Sequence, residues 1–365
     1  MNVLSDHACK NQPTPAPVRI GITFGDVTGV GPEVIVKALA QIFAGCVTPV
    51  RDAPVEFVLY GDRGWWERVV QQLTSLRALH SEMAASLLLD RLAWADSIVG
   101  PLPQRLAPGD AQAAQAAVRW LEAAARDCLK GDLDAMVTGP VHKAAIQRAG
   151  IRFVGQTEFL GALAGEPEPV MMLLGTDPAG RWLRVALVTV HVALREVPSR
   201  LSVQRIVRTI ECAREACERL RLPRTKVAVC GLNPHCGEDG AFGDEEKRLI
   251  QPALERAREQ GWQVEGPCSG DTVFHHALQG RFDAVVAMYH DQGLAPLKAV
   301  AFDTGVNWSL GLPFIRTSPD HGTAYDIAGR GMADATSMRC ALELACQLAV
   351  QARQSAASAA HMYRD

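Results

Sequence analysis

"DAVVAMYHDQG", residues 283–293, runs an apolar segment, Ala284–Met288, straight into Tyr289, His290 and Asp291, with Gly293 close behind. A short apolar run bounded by polar residues and glycine has the pattern of a strand buried on both faces. Two other stretches repeat it. "RVALVTVH" (184–191) ends at His191, and "KVAVCGLNPH" (226–235) reaches His235 after a short turn. Ligands of open α/β sheets sit beyond the carboxyl ends of their strands. Three such strands therefore deliver three imidazoles to the place where a ligand is expected.

Outward from these strands the same alternation continues. "RIGITFG" (19–25), "VEFVLYG" (55–61) and "DAMVTGPV" (134–141) read as further strands. Between them lie amphipathic helical stretches. One spans 110–131, with Asp110 at its start and Gly131 at its end; another spans 201–222, with Ser202 as N-cap; a shorter one spans 245–261. Alternating strands and helices predict an α/β fold with a largely parallel sheet. No linker divides the chain, so the expectation for residues 18–365 is two intertwined α/β lobes around a central cleft.

The 365 residues, 48% hydrophobic and 21% charged with a net charge of −3, suit a soluble globular protein of roughly two domains. There is no basic excess of the kind nucleic-acid binding requires. No stretch approaches the roughly 20 apolar residues of a membrane span. Residues 1–17 lack the apolar centre of a secretory signal and read as a loose, disordered tail, so a cytoplasmic location is expected. The ten cysteines contain no CxxC pair and read as reduced thiols.

His191, His235 and His290 together suit a catalytic divalent-metal site, since three neutral imidazoles leave a fourth position open. Zinc suits them best, with magnesium or cobalt as alternatives. Asp291 is placed to orient an imidazole. The bland reading is that each histidine hydrogen-bonds the end of its own strand. Downstream, Lys298, Asn307 and Arg316 each interrupt an apolar neighbourhood. A buried cation needs a counter-charge, which is either a bound anion or a protein carboxylate. "GDVTGVGPE" (25–33) reads as a tight strand-to-helix turn, because a phosphate loop would carry a lysine after its last glycine. "SPDHGTAYDIAGRG" (318–331) has the glycines that let backbone approach a ligand closely.

"TGPVHKAAI" (138–146), "GQTEFL" (155–160), "GLNPHCGEDGAFGDEE" (231–246), "MYHDQGLAPLK" (288–298) and "GVNWSLGLPFIRTSPDHGTAYDIAGRG" (305–331) resemble the 4-hydroxythreonine-4-phosphate dehydrogenase family of pyridoxal 5′-phosphate biosynthesis. The resemblance runs in order from about residue 20 to about residue 348. It implies a fold like that of isocitrate and isopropylmalate dehydrogenases, and a homodimer whose active site lies at the subunit interface. It implies NAD- or NADP-dependent oxidation of 4-phosphooxy-L-threonine to a β-keto acid, which loses CO2 to give 3-amino-2-oxopropyl phosphate. One divalent metal per subunit would be held by His191, His235 and His290. Substrate contacts fall on Gln156, Thr157, Lys298, Asn307 and Arg316, and cofactor contacts on His321, Gly322, Thr323 and Asp326. Lys298 and Asp271 are the catalytic candidates, and the acceptor of the hydroxyl proton is either Asp271 or a metal-bound water. The family pattern "GHTE" reads "GQTE" here, with Gln156 in place of histidine. That departure keeps related substrates in view, namely a phosphorylated four-carbon sugar acid such as phospho-erythronate, or the cis-dihydrodiol of terephthalate. A non-catalytic binding protein on the same scaffold is the remaining alternative.

Overall fold

A computed structural model describes residues 16–45, 53–79, 82–95, 98–166 and 168–362. Residues 1–15 of the expected N-terminal tail lie outside this set.

Among the described residues, eleven strands form one sheet. In chain order they are β1 (Val18–Thr23), β2 (Val55–Tyr60), β3 (Ala93–Trp94), β4 (Ala135–Thr138), β5 (Val170–Thr176) and β6 (Trp182–Leu187). The rest are β7 (Val227–Cys230), β8 (Val264–Cys268), β9 (Ala284–Ala287), β10 (Val306–Leu310) and β11 (Ile315–Pro319). Their spatial order is β3-β2-β1-β4-β11-β10-β5-β6-β9-β7-β8. All pairings are parallel except β11–β10, β10–β5 and β5–β6. The sheet is therefore two parallel blocks running in opposite directions, joined through antiparallel strands. The chain enters the second block through β5 and returns through β10 to close the first with β11. This double crossing is why no linker shows in the sequence.

The helices begin and end where the local chemistry dictates. Asp110 accepts from Gln112 N at 2.7 Å at the start of helix Ala111–Lys130, and Gly131 closes it with φ 83°. Ser202 accepts from Arg205 N at 3.2 Å at the start of helix Val203–Arg219. The stretch expected as one helix over 245–261 is a π-helical turn, Glu246–Ile250, followed by helix Gln251–Glu259.

The opening stretch now has its explanation. β9 is buried along its whole length, and His290 is the first residue of helix His290–Ala301. That helix lies directly on β6 and β9. A Cβ on Gly293 would stand 2.6 Å from Val185 Cγ1 and 2.9 Å from Leu187 Cδ2, so only glycine permits the approach that sets His290. Replacing Gly293 with valine should destabilise the fold by about 1–3 kcal/mol through overpacking, measured as a lower urea midpoint. An unchanged midpoint would mean the helix docks less tightly than described.

Candidate active site

The site lies over one face of the central strands, not beyond the ends of a parallel sheet as the strand pattern suggested. The register explains this. Asn307 pairs with Ser318 and with Leu173, and Ser309 pairs with Arg316 and with Met171. Residues directly opposite in a sheet share a face. Arg316 also pairs with Met136, so Thr138, two residues further on, shares that face. The antiparallel strands thus present Ser309, Asn307, Arg316 and Ser318 side by side. Asn307, Arg316 and Ser318 line one cavity of about 400 Å³ with His191, His290, Lys298, Gln156, Thr157, His321 and Gly322, and Ser309 holds Arg316 from outside that lining.

Arg316 is 2% exposed. Its Nη2 donates to Thr138 Oγ1 at 2.7 Å and its Nη1 to Ser309 Oγ at 3.0 Å, with Thr157 Oγ1 at 3.5 Å. No carboxylate lies within ion-pair distance of it among the described residues. Burial pushes the guanidinium down to about 10, opposed by the charge of Glu158 on the cavity wall. It stays cationic at neutral pH. The two readings left open for the downstream cations therefore divide. Lys298 has a protein partner, Asp320 Oδ2 at 3.3 Å, whereas Arg316 has hydroxyls alone. Burial raises the Asp320 carboxyl, and Lys298 opposes the rise.

The histidines also divide. The rings of His191 and His290 are 5.7 Å apart between centroids. Burial lowers the His191 imidazole, opposed by Glu158 and reinforced by His290, which favours the neutral form that binds metal. His290 Nδ1 pairs with Asp291 Oδ1 at 2.7 Å, leaving its other ring nitrogen free for a ligand. His235 does not join them. It lines a neighbouring pocket with Asp271, Tyr289 and Gln292. Among the described residues no group of three or more His, Cys, Asp or Glu could hold a metal ion. Within one chain the cavity thus brings together two of the three imidazoles. The placement also parts Asp271 from Arg316 and Lys298.

His235 is presented by an unusual turn. Residues His235–Asp239 all have left-handed φ, from 39° to 83°, and only one of the five is glycine. Such a conformation costs roughly 1–2 kcal/mol per non-glycine residue. Glu246, 4% exposed, sits at the turn's base. It accepts from Leu232 N and Asn233 N, both at 2.7 Å, and from Asn233 Nδ2 at 2.9 Å. Gln292 ties this turn to the His290 segment, accepting from Met288 N and donating to Gly231 O, each at 2.7 Å.

The glycine-rich segment 320–331 has no regular structure and is clamped to the first turn and helix. Val30 N donates to Thr323 O at 2.9 Å, and the buried Glu33 accepts from Gly329 N and Ala333 N. The turn 25–33 accordingly acts as a strand-to-helix turn whose glycines admit this segment. A Cβ on Gly29 would meet Thr323 O at 2.6 Å. Of the four residues assigned to the cofactor, His321 and Gly322 reach the cavity. Thr323 is buried in the clamp and Asp326 is exposed. Among the described residues the buried Nε2 of His321 has no protein partner. Sequence reasoning missed Thr138, Lys143 and Ser309. The first two lie in "TGPVHK", which carried the resemblance; the signal for Ser309 was its two-residue offset from Asn307 on the same strand face.

A family model, pyridoxal phosphate biosynthetic protein PdxA, matches residues 53–345. The chain belongs to this family. A 4-hydroxythreonine-4-phosphate dehydrogenase of Geobacter metallireducens is 46% identical over 342 residues, 91% of this chain and 95% of that protein. A D-threonate 4-phosphate dehydrogenase of Cupriavidus necator is 41% identical over 91% of this chain and 97% of its own length. The crystal structure of a 4-hydroxythreonine-4-phosphate dehydrogenase from Klebsiella pneumoniae superposes with a TM-score of 0.74 at 39% identity. The match covers 91% of this chain and 98% of that one. In this PdxA family member no described helix is long and apolar enough to cross a membrane.

Proposed function

We propose that this PdxA family member is an NAD- or NADP-dependent, divalent-metal-dependent dehydrogenase that oxidises 4-phosphooxy-L-threonine, with decarboxylation to 3-amino-2-oxopropyl phosphate. The observation that carries the reading is Arg316, a wholly buried cation without a carboxylate partner in a cavity that also holds Lys143 and Lys298. Such a cation is stabilised by a bound anion. Phosphate and carboxylate, one at each end of the substrate, meet that demand. Thr157, held beside Arg316 and Ser309, donates to one of them, and Lys298, already near Asp320, adds a mobile point charge.

A bound nicotinamide supplies the hydride acceptor, and a bound divalent cation draws electron density from the reacting oxygen. His191 and His290 would hold the cation from one chain, and His235 of a second copy would complete the set. The reading is therefore a homodimer with shared sites, acting in the cytoplasm. Its two lobes are the two parallel blocks, with the cleft over β10. Asp271 lines the same pocket as His235 and would enter from the same second copy to take the hydroxyl proton. His321 and Gly322 would face the cofactor, and Thr323 would hold the loop that carries them.

The test is turnover. Purified protein with a divalent metal should reduce NAD or NADP in the presence of 4-phosphooxy-L-threonine. Reduction with D-threonate 4-phosphate alone would move the substrate to the phosphorylated sugar acids, the reading favoured by the Cupriavidus relative. No reduction with any phosphorylated hydroxy acid would overturn the proposal.

A further inference from the structure

The turn that presents His235 is built round one buried side chain. Glu246 opens the π-helical turn Glu246–Ile250, a distortion found frequently at functional places in proteins. Its carboxylate sits inside the loop 231–237. A Cβ on Gly231 would stand 3.2 Å from Glu246 Oε1, and one on Gly237 would stand 2.8 Å from Oε2. The backbone thus wraps the carboxylate on its way into the turn and again within it. Oε1 accepts from Leu232 N and Asn233 N, and Oε2 accepts from Asn233 Nδ2. No Lys, Arg or His pairs with this carboxylate among the described residues, so N–H groups offset its buried charge.

The run above it could not keep its shape unaided. L-residues tolerate left-handed backbone singly, not in series. Here four non-glycine residues, His235, Cys236, Glu238 and Asp239, adopt it within a stretch of five. Burial does little to offset the strain, since His235, Glu238 and Asp239 are exposed. Such backbone persists only where its surroundings over-determine it, and it clusters at functional sites. Released, the run would relax to right-handed or extended backbone, and His235, its first residue, would turn away. We infer that Glu246 is a positioning residue, which fixes the His235 imidazole for metal binding by holding the loop that carries it. The inference rests on the metal reading above and adds to it a residue that touches neither metal nor substrate.

Zinc affinity of the purified full-length protein, measured by competition with a chromophoric chelator, tests this without turnover. Glu246→Ala should bind zinc about 10- to 100-fold more weakly than the wild type, the usual loss when a group that orients a metal ligand is removed. His235→Ala sets the ceiling, since Glu246 acts only through that ring. The double variant His235→Ala/Glu246→Ala should therefore bind no more weakly than His235→Ala. General damage to the fold would instead add its own loss to that of the histidine. Additive losses, or a folded Glu246→Ala with wild-type affinity, overturn the inference.

Thermal unfolding shows whether Glu246→Ala folds. If it does not, Glu246→Gln takes its place in both comparisons. The amide keeps an oxygen for Leu232 N and Asn233 N but sets an NH2 group against Asn233 Nδ2. Asn233 cannot flip to relieve this, because its Nδ2 also donates to Glu245 Oε2 at 2.8 Å. The loss should then be about tenfold; wild-type affinity, or a second failure to fold, overturns the inference. Wild-type protein that binds no zinc is a different result. It removes the metal reading, and the inference falls with it.

Discussion

Arg316→Met should lose activity by about 10²–10³-fold in kcat/KM while the ligand-free protein melts no lower than the wild type. The two halves of this expectation have one cause. The guanidinium is buried against Thr138, Ser309 and Thr157 hydroxyls, and no carboxylate among the described residues pairs with it. Burying a charge on those terms opposes folding, and exchanging buried ionic groups for apolar ones of similar volume is often neutral or stabilising by about 1–4 kcal/mol. With an anion bound the same charge becomes a buried pair, whose truncation costs about 2–5 kcal/mol. Methionine fills the volume, so no large cavity confuses the comparison. Differential scanning calorimetry and steady-state kinetics on one preparation check both halves. A variant that unfolds would make Arg316 a structural cation after all, and full activity would remove it from substrate binding.

The second large effect concerns the metal site proposed to be shared between two copies of the chain. His235→Ala and His290→Ala should each be inactive alone, and mixtures of the two should regain activity after subunits exchange. Chelation should abolish wild-type turnover, and a divalent metal should restore it. The reason is geometric. His191 and His290 adjoin in one cavity, while His235 opens on the next. Two imidazoles are too few for the three-ligand site on which the mechanism relies. In a mixed dimer of the two variants, one of the two sites contains only intact histidines. No recovery on mixing, together with monomers in sedimentation, would end the shared-site reading; full activity in metal-free protein would end the metal reading.

Much of the fold could be read in the chain because burial on both faces leaves uninterrupted apolar runs, as in Ala284–Ala287 and Val227–Cys230. Caps such as Asp110 and Ser202 were equally plain, since their chemistry is local. The reversal of strand direction at β10 and β5 was not. A parallel and an antiparallel strand buried on both faces carry the same composition, so pairing direction leaves no mark. That reversal moved the site from the ends of the sheet onto its face. Lys298, Asn307 and Arg316 were found as breaks in apolar runs, yet Thr138 and Ser309 escaped, because a buried hydroxyl looks ordinary until the guanidinium it serves is located. The separation of His235 from its fellows depends on a left-handed turn that no spacing announces.

The route of the chain through the sheet bears on how the polypeptide matures. β4 and β5 are laid down early, but β10 and β11, the strands that lie between them, are not made until residues 306–319 emerge. Until then each half of the sheet ends in a raw edge with unpaired N–H and C=O groups, an invitation to stick to neighbouring chains. A product truncated just short of Val306 should accumulate as aggregate, whereas one missing only the end of helix Thr336–Met362 should remain dispersed.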